Sequence, residues 1–459
     1  SIYAANAGGE VTLISSNHPQ RSSSSCLREG VSSSVAPYTL EQHISDSIKC
    51  SGPIANESRI EKMCEASPRI VNLLERMGVM FDRDVEGYLK IQHGTPHASE
   101  SVVRVGGRTA QRILAVLNGQ LRRYASSERV VMDIGWEFLS PILDDEGRCR
   151  GAVAINLKSM EIKPYRADAV IVCSGGYPGI FNNTTRSSVN DGSALISCFK
   201  KGAAIANPEL VEFYPFTFRA FGKSYPVDSW LLTPEGEVIE DLLTDDAGGV
   251  LKLYEESTGL DSIGSPLTLE PAATYSLGGL WVDDEHMTTI PGLYASGEAA
   301  YAYHGSGILP GNKILSSLYG GMIAGEKSAI YARSSERIPD EIVLEIMDKE
   351  KTKQEMINSS IASKEGSENA HIIANELSDV MFDSLGPERN DIKVESAMEN
   401  VEGLQSRFDS APLLDRSEWA NGEILFMRRL SNKFDLSKLI ASSILNRDEN
   451  SRNIVAKIF

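Results

Sequence analysis

Residues 290–326 read IPGLYASGEAAYAYHGSGILPGNKILSSLYGGMIAGE. The opening Gly292-Leu-Tyr-Ala-Ser-Gly-Glu298 predicts a short buried strand that stops at a glycine. From about Lys313 to Glu326 the pattern predicts a helix, with small residues wherever the backbone must come close to something. Glycines at 297, 305, 307 and 311 let main-chain N–H groups approach a ring or a phosphate. Glu298 can accept hydrogen bonds from vicinal hydroxyls, and the helix start offers unpaired N–H groups and the positive end of its dipole. The segment suits a flat polar ligand. Spacing alone suits an ordinary strand, turn and helix of an α/β sheet equally well.

The chain around it has 459 residues, 41% of them hydrophobic, with 38 glycines, which fits a soluble α/β enzyme of two or three domains. No apolar run is long enough to span a membrane. A formal charge of −18 speaks against a nucleic-acid partner, because an acidic surface repels phosphate backbones. Cys26, Cys50, Cys64, Cys149, Cys173 and Cys198 show no C-x-x-C spacing, so neither a metal site nor an iron–sulfur cluster is expected within this chain. They read as small core residues in a reducing, cytoplasmic compartment.

Ser1 to Glu10 reads as the tail of a helix and Val11-Thr-Leu-Ile-Ser15 as a buried strand, the second half of a βαβ unit. The opening strand and its phosphate-binding glycine loop are expected just upstream of Ser1. Arg21-Ser-Ser-Ser-Ser-Cys-Leu-Arg-Glu-Gly30 is rich in hydroxyls, as a ligand-lining loop or a flexible serine linker would be. Tyr38 to Met77 is helical in pattern, with Ser67 as an N-cap, Pro68 at the first helical position and Gly78 past the end. A helix over about Thr109–Tyr124 carries Ile113, Leu114, Leu117 and Leu121 on one face. Short strands follow between Val130 and Arg166, with a turn at Asp144–Gly147, and lead into the apolar Ala169–Cys173. That strand ends in Ser174-Gly-Gly-Tyr177, then Asn183-Thr-Thr-Arg186 and Asn190-Asp-Gly192. Two glycines after a buried strand admit a ligand, and Asp191 either fixes a hydroxyl or simply caps a helix. Phe216–Leu269 reads as a small α+β insertion with a hairpin around Thr233–Gly236. Segments 369–385, 392–408 and 422–445 read as amphipathic helices of a C-terminal bundle.

In this order the motifs resemble the flavin-binding signature of the succinate dehydrogenase, fumarate reductase and L-aspartate oxidase flavoproteins. The family's GLYA-x-GE stands here as Gly292 to Glu298, and its HGANRLGGNSLL as His304-Gly-Ser-Gly-Ile308-Leu-Pro-Gly311-Asn312-Lys313-Ile314-Leu. The resemblance implies a Rossmann-like FAD-binding domain over 1–215 and 271–335, an inserted α+β capping domain over 216–270 and a helical domain over 336–459. It implies that Ser15, Ser22, Ser23, Ser24 and Gly30 line the FAD from the first loops. Ser174, Gly175, Gly176 and Asp191 would line it from the middle of the chain, and Gly297, Glu298, Asn312, Lys313 and Ile314 from the quoted stretch. Fumarate reductases carry R-S-H-T-x-x-A-x-G-G, whose histidine bonds covalently to the flavin. Ser23 or Ser24 takes that place here, which implies dissociable FAD.

The substrate-facing motifs depart from the family. Glu209-Leu-Val-Glu-Phe-Tyr214-Pro resembles E-F-V-Q-F-H-P, and Pro271-Ala-Ala-Thr274-Tyr275 resembles P-x-x-H-Y. Tyr214, Thr274 and Ile308 thus stand where two histidines and an arginine clamp a dicarboxylate, and losing such a charged partner costs about 3–5 kcal/mol. The cap's R-G-E-G-G stretch is not found. The reading that follows is an FAD-dependent oxidoreductase acting on a larger, less acidic substrate, with a pocket of Tyr214, Thr274, Tyr275 and Ile308. Tyr214, His304 and Lys313 are its candidate catalytic groups, although the tyrosines also suit a core and His304 a turn. The alternative is an electron-transfer or assembly subunit beside an iron–sulfur partner, peripheral to a membrane through partner subunits. A flavin-free relative is a third reading if the upstream glycine loop is truly absent.

Overall fold

The computed structural model describes residues 1–27, 29–93, 100–221, 223–227, 232, 236–238, 245–263 and 266–447. Ile2–Asn6 (α1) and Val11–Ser15 (β1) open the chain, and a single-turn 3-10 helix, Ser23–Cys26, leads to Val31–Ser32 (β2). Leu40–Ser51 (α2) and Glu57–Met77 (α3) follow, then Ile91–His93 (β3) and Glu100–Val103 (β4), which join β2 in an antiparallel sheet. Thr109–Ser126 (α4) precedes Val130–Ile134 (β5), which pairs parallel to β1. Trp136–Leu143 (β6), Cys149–Asn156 (β7) and Ile162–Arg166 (β8) form an antiparallel meander. The middle of the chain holds Val170–Val172 (β9), Ser193–Phe199 (α5), Ile205–Ala206 (β10), Val211–Ala220 (β11) and Lys223–Pro226 (β12). Asp245–Thr258 (α6), Glu270–Ser276 (β13), Gly279–Trp281 (β14), Leu293–Ala295 (β15), Ala300–Tyr301 (β16) and Asn312–Ser334 (α7) come next. Asp340–Ala362 (α8), Ala370–Leu385 (α9), Asp391–Asp409 (α10) and Gly422–Leu445 (α11) form the C-terminal helical part.

Two features position the site. β9 pairs parallel with β15, Val170 opposite Leu293 and Val172 opposite Ala295, so both strands finish at the same edge. β11 pairs antiparallel with β13, which sets Glu212 opposite Tyr275 and Tyr214 opposite Ala272. One apolar core runs from α3 through α7 into α9, α10 and α11, whereas Phe218, Val227, Tyr254 and Leu267 close a separate small core in the insertion. A core of its own is what an inserted domain needs to stay folded on a long excursion from the sheet. α11 ties distant parts together. Ala420, just ahead of it, donates to the Lys158 carbonyl, Arg429 pairs with Glu137 on β6, and Arg447 at its far end pairs with Glu209.

Most expected elements form, with three differences. The helical stretch 38–77 is two helices parted at Gly52, and Ser67 and Pro68 lie inside α3, whose N-cap is Asn56. Pro68 has no N–H to give the Cys64 carbonyl, and the Ser67 hydroxyl donates to that oxygen instead at 2.7 Å. That substitution lets the helix continue to Gly78, which is left-handed at φ 111° as a C-terminal glycine should be. The quoted helix begins at Asn312 and runs on to Ser334. In the insertion, an antiparallel bridge between Leu232 and Val238 agrees with a hairpin there, while Thr233 to Glu235 lie outside the described residues.

Candidate functional site

β9 and β15 end side by side in glycine turns. Gly175 has φ 82° and Gly297 φ 68°, conformations that side chains with a Cβ resist. The crevice beyond the carboxyl ends of parallel strands is where open α/β sheets bind ligands. Ser174 is exposed there, and a Cβ on Gly176 would stand 2.4 Å from Ser276 Oγ and 2.7 Å from Glu298 Oε1. The two turns are also laced to β13. The Ser276 N–H donates to Glu298 at 2.9 Å and the Tyr177 N–H to Ser276 Oγ at 2.8 Å. Burial pushes the Glu298 carboxyl above its usual pKa, against the pull of Arg186. Gly311, at φ 89°, passes so close to β2 that a Cβ would meet Ser32 N at 2.6 Å.

After Gly311 the first two residues of α7 face different surroundings. Asn312 is buried with both ends of its amide used: Oδ1 lies 3.1 Å from His43 Nε2, and Nδ2 donates to Ser47 Oγ at 2.9 Å. His43 further meets Ser32 at 3.0 Å and Ser67 at 3.4 Å, and burial lowers its pKa, so the whole network is uncharged. Lys313 is buried too, with Nζ 2.8 Å from Glu29 and 2.6 Å from Glu212. Although burial opposes it, this pair of carboxylates raises the ammonium pKa well above the ordinary lysine value. Burial works against ionisation of Glu29 as well, yet Lys313 and the Gly311 N–H hold its carboxyl below the usual range.

The pocket residues divide. Tyr275 is buried beside Ile308, Leu210 and Leu277, its ring beneath Lys313 at 5.6 Å and edge-on to His304 at 5.9 Å. His304 Nε2 lies 3.0 Å from Ser316 Oγ, and burial beside Lys313 pushes its pKa down to about 3. At neutral pH it is an uncharged imidazole with no proton to spare as an acid. Tyr214 turns away, donating its hydroxyl to the Val227 carbonyl at 3.0 Å. Thr274 is half-buried and takes a hydrogen bond from the Thr185 hydroxyl at 3.1 Å.

The remaining expected residues make mostly local contacts. The Ser15 hydroxyl, at the end of β1, donates to the Asn17 carbonyl. The Ser22 carbonyl caps the turn that carries Ser23 and Ser24, and Gly30 is buried where a Cβ would strike the Val103 carbonyl at 2.5 Å. Glu29, between them, draws this loop to α7. Asp191 is buried, accepts from the Ser193 N–H that starts α5, and has its pKa raised by burial in spite of Lys433 and Arg429. Ile314 is core. His43, Glu29, Glu212 and Arg186 were not singled out from sequence. A signal for two of them existed: Glu29 and Glu212 replace a glycine and a glutamine of the quoted family patterns, and Lys313 a serine.

Residues 1–222 and 251–314 match the FAD binding domain family, and 374–452 match the fumarate reductase flavoprotein C-terminal family. The succinate dehydrogenase flavoprotein subunit of Bacillus subtilis is 32% identical, covering 98% of this chain and 87% of its own length. The chain belongs to the succinate dehydrogenase and fumarate reductase flavoprotein family. The fumarate reductase flavoprotein subunit of Escherichia coli is 21% identical over 97% of this chain and 83% of its own. A variant of the E. coli quinol fumarate reductase shares the fold with a TM-score of 0.87 at 19% identity, covering 98% of this chain and 87% of that one. The Mycobacterium smegmatis Sdh1 complex does so with a TM-score of 0.84 at 20% identity, over 97% of this chain and 84% of that one. Like the rest of the family, the chain is an FAD-dependent oxidoreductase. Its residues fit that cofactor: the turns at Gly175, Gly297 and Gly311 have no room or no tolerance for side chains. The buried hydroxyls of Ser33 and Ser296 lack hydrogen-bond partners among the described residues. No helix among the described residues is long and apolar enough to cross a membrane.

Proposed function

We propose that this flavoprotein binds FAD without a covalent link and transfers a hydride between it and a substrate other than a small dicarboxylate. The observation that carries this reading is the surroundings of Ile308, which packs with Leu210, Tyr275 and Leu277 where a carboxylate-clamping arginine would be needed. Isoleucine offers a carboxylate no hydrogen bond, and burying an unpaired charge against it is costly. Bound FAD supplies reversible two-electron hydride transfer. Around it, Glu298 and the glycine turns would hold the cofactor, while Lys313 is occupied in drawing Glu29 and Glu212 together at the start of α7. His304 orients Ser316 and Tyr275 as a neutral ring.

The relatives' description as subunits supports a second element of the reading, an electron-transfer partner of iron–sulfur type that would also place the chain at a membrane surface peripherally. Acid precipitation of the purified yellow protein should leave the colour in the supernatant. Assays of fumarate, succinate and L-aspartate with artificial redox dyes should show no turnover near the ordinary enzyme range of about 1 per second or above. Colour kept in the pellet would overturn the non-covalent reading, and such turnover would overturn the substrate reading.

A further inference from the structure

Cations that face the pocket differ in how fully they are used. Lys313 meets two carboxylates and has no charge left for a ligand. Arg186, in the loop after β9, is half-buried, and its Nε donates to the Thr274 carbonyl at 2.6 Å. Its Nη1 and Nη2 have no hydrogen bond or ion pair among the described residues, although its charge reaches Glu29, Glu298 and Tyr275. The loop that carries it is built rather than loose. Thr184 Oγ1 donates to the Ala273 carbonyl and accepts the Arg186 N–H, and the Thr185 N–H also donates to Ala273. Thr185 Oγ1 donates to Thr274 Oγ1, which leaves the Thr274 hydroxyl hydrogen uncommitted.

We propose that Arg186, together with the Thr274 hydroxyl, is the specificity-determining pair that binds the single carboxylate of a substrate whose remainder is uncharged. A guanidinium fixed along its Nε edge still offers two parallel N–H donors, which match one carboxylate in bidentate fashion. A second carboxylate would find neither the arginine of the family pattern, because Ile308 lies among apolar side chains, nor the charge of Lys313, which two carboxylates neutralise. The substrate class is therefore a monocarboxylate, with the bond to be oxidised or reduced on its uncharged portion. This inference rests on the reading that Ile308 excludes small dicarboxylates.

The test is equilibrium binding to the purified FAD-loaded protein, followed by calorimetry and by perturbation of the flavin absorbance. The probes are butanoate, hexanoate, hexanamide and succinate. Hexanoate or butanoate should bind, hexanamide should not, and Arg186→Gln should weaken carboxylate binding about tenfold or more, with Arg186→Lys recovering part of it. FAD affinity and the thermal midpoint of Arg186→Gln should match the parent, a result that a merely structural role would not give. Carboxylate affinity unchanged in Arg186→Gln would overturn the proposal. So would a loss of FAD affinity in that variant, which would assign the guanidinium to the cofactor's diphosphate. Succinate bound more tightly than butanoate would overturn the single-carboxylate assignment. Turnover of succinate by a protein whose monocarboxylate binding still depends on Arg186 would instead refute only the reading of Ile308.

Discussion

Asn312 and Lys313 are neighbours in the chain, yet they open onto two buried networks of different kinds. The one around Asn312 is neutral and contains His43, Ser32, Ser47 and Ser67. The one around Lys313 is ionic and draws Glu29 and Glu212 from two other segments. A neutral network specifies position, because each amide, imidazole and hydroxyl can be satisfied in few geometries. An ionic one stores charge, which responds to whatever binds beside it. The contrast separates holding the loop 311–313 in place from setting the potential within the pocket.

The largest effect should come from breaking the ionic side. Lys313→Met leaves two carboxylates partly buried without their cation, and unfolding in urea should show a loss of about 3 kcal/mol, the lower end of the usual range because both carboxylates keep some exposure. A loss under about 1 kcal/mol would mean that Glu29 and Glu212 relax to water freely. On the neutral side, Asn312→Leu should cost about 1–3 kcal/mol by the same assay, since His43 and Ser47 each lose a partner.

The two networks should also separate by pH. His43 and His304 have folded pKa values below the ordinary 6.5, so the unfolded chain binds more protons below that point. Their contribution to stability is complete above pH 6.5 and is lost as pH falls toward the folded values, about 3 for His304. Glu29, held below the usual 4.5, contributes in full above pH 4.5 and loses its part only beneath it. Urea midpoints measured from pH 8 to 4 should therefore decline from about pH 6.5. His304→Gln should flatten the limb between 6.5 and 4.5, whereas Lys327→Ala, at an exposed pair, should leave that limb's slope intact. The reverse assignment would break the comparison. The smallest effect should be Lys327→Ala, which removes an exposed pair with Glu285 and should move stability by no more than about 0.5 kcal/mol.

The glycine-lined part was legible in sequence, whereas of the neutral network only Asn312 was named for the site. Gly175, Gly297 and Gly311 follow short apolar strands or open a helix, and the strain they relieve is local, so spacing exposes it. The Lys313 triad was not legible because its members lie far apart in the chain, and each alone looks like an ordinary surface charge. Only their joint appearance at uncharged positions of the family pattern carried a signal. Arg186 was hidden differently, at the end of the quoted Asn183-Thr-Thr-Arg186, beside which only the two glycines and Asp191 were weighed. The start of α3 was misread because Ser67-Pro68 has the letters of an N-cap, while the structure uses the serine to repair the interior bond that the proline forfeits.

α11 has a consequence in terms of length. Its 24 residues rise about 36 Å. At one end Ala420 is fastened to the turn between β7 and β8, and at the other Ser443 and Arg447 hold Glu209, two residues ahead of β11. A hydrogen-bonded rod does not compress, so β11 cannot approach the meander sheet without releasing Glu209 or sliding the whole helix past Glu137 and Gly179. Since β11 carries Glu212 and Tyr214, the C-terminal helix acts as a gauge block that sets how far this strand stands from the turn between β7 and β8.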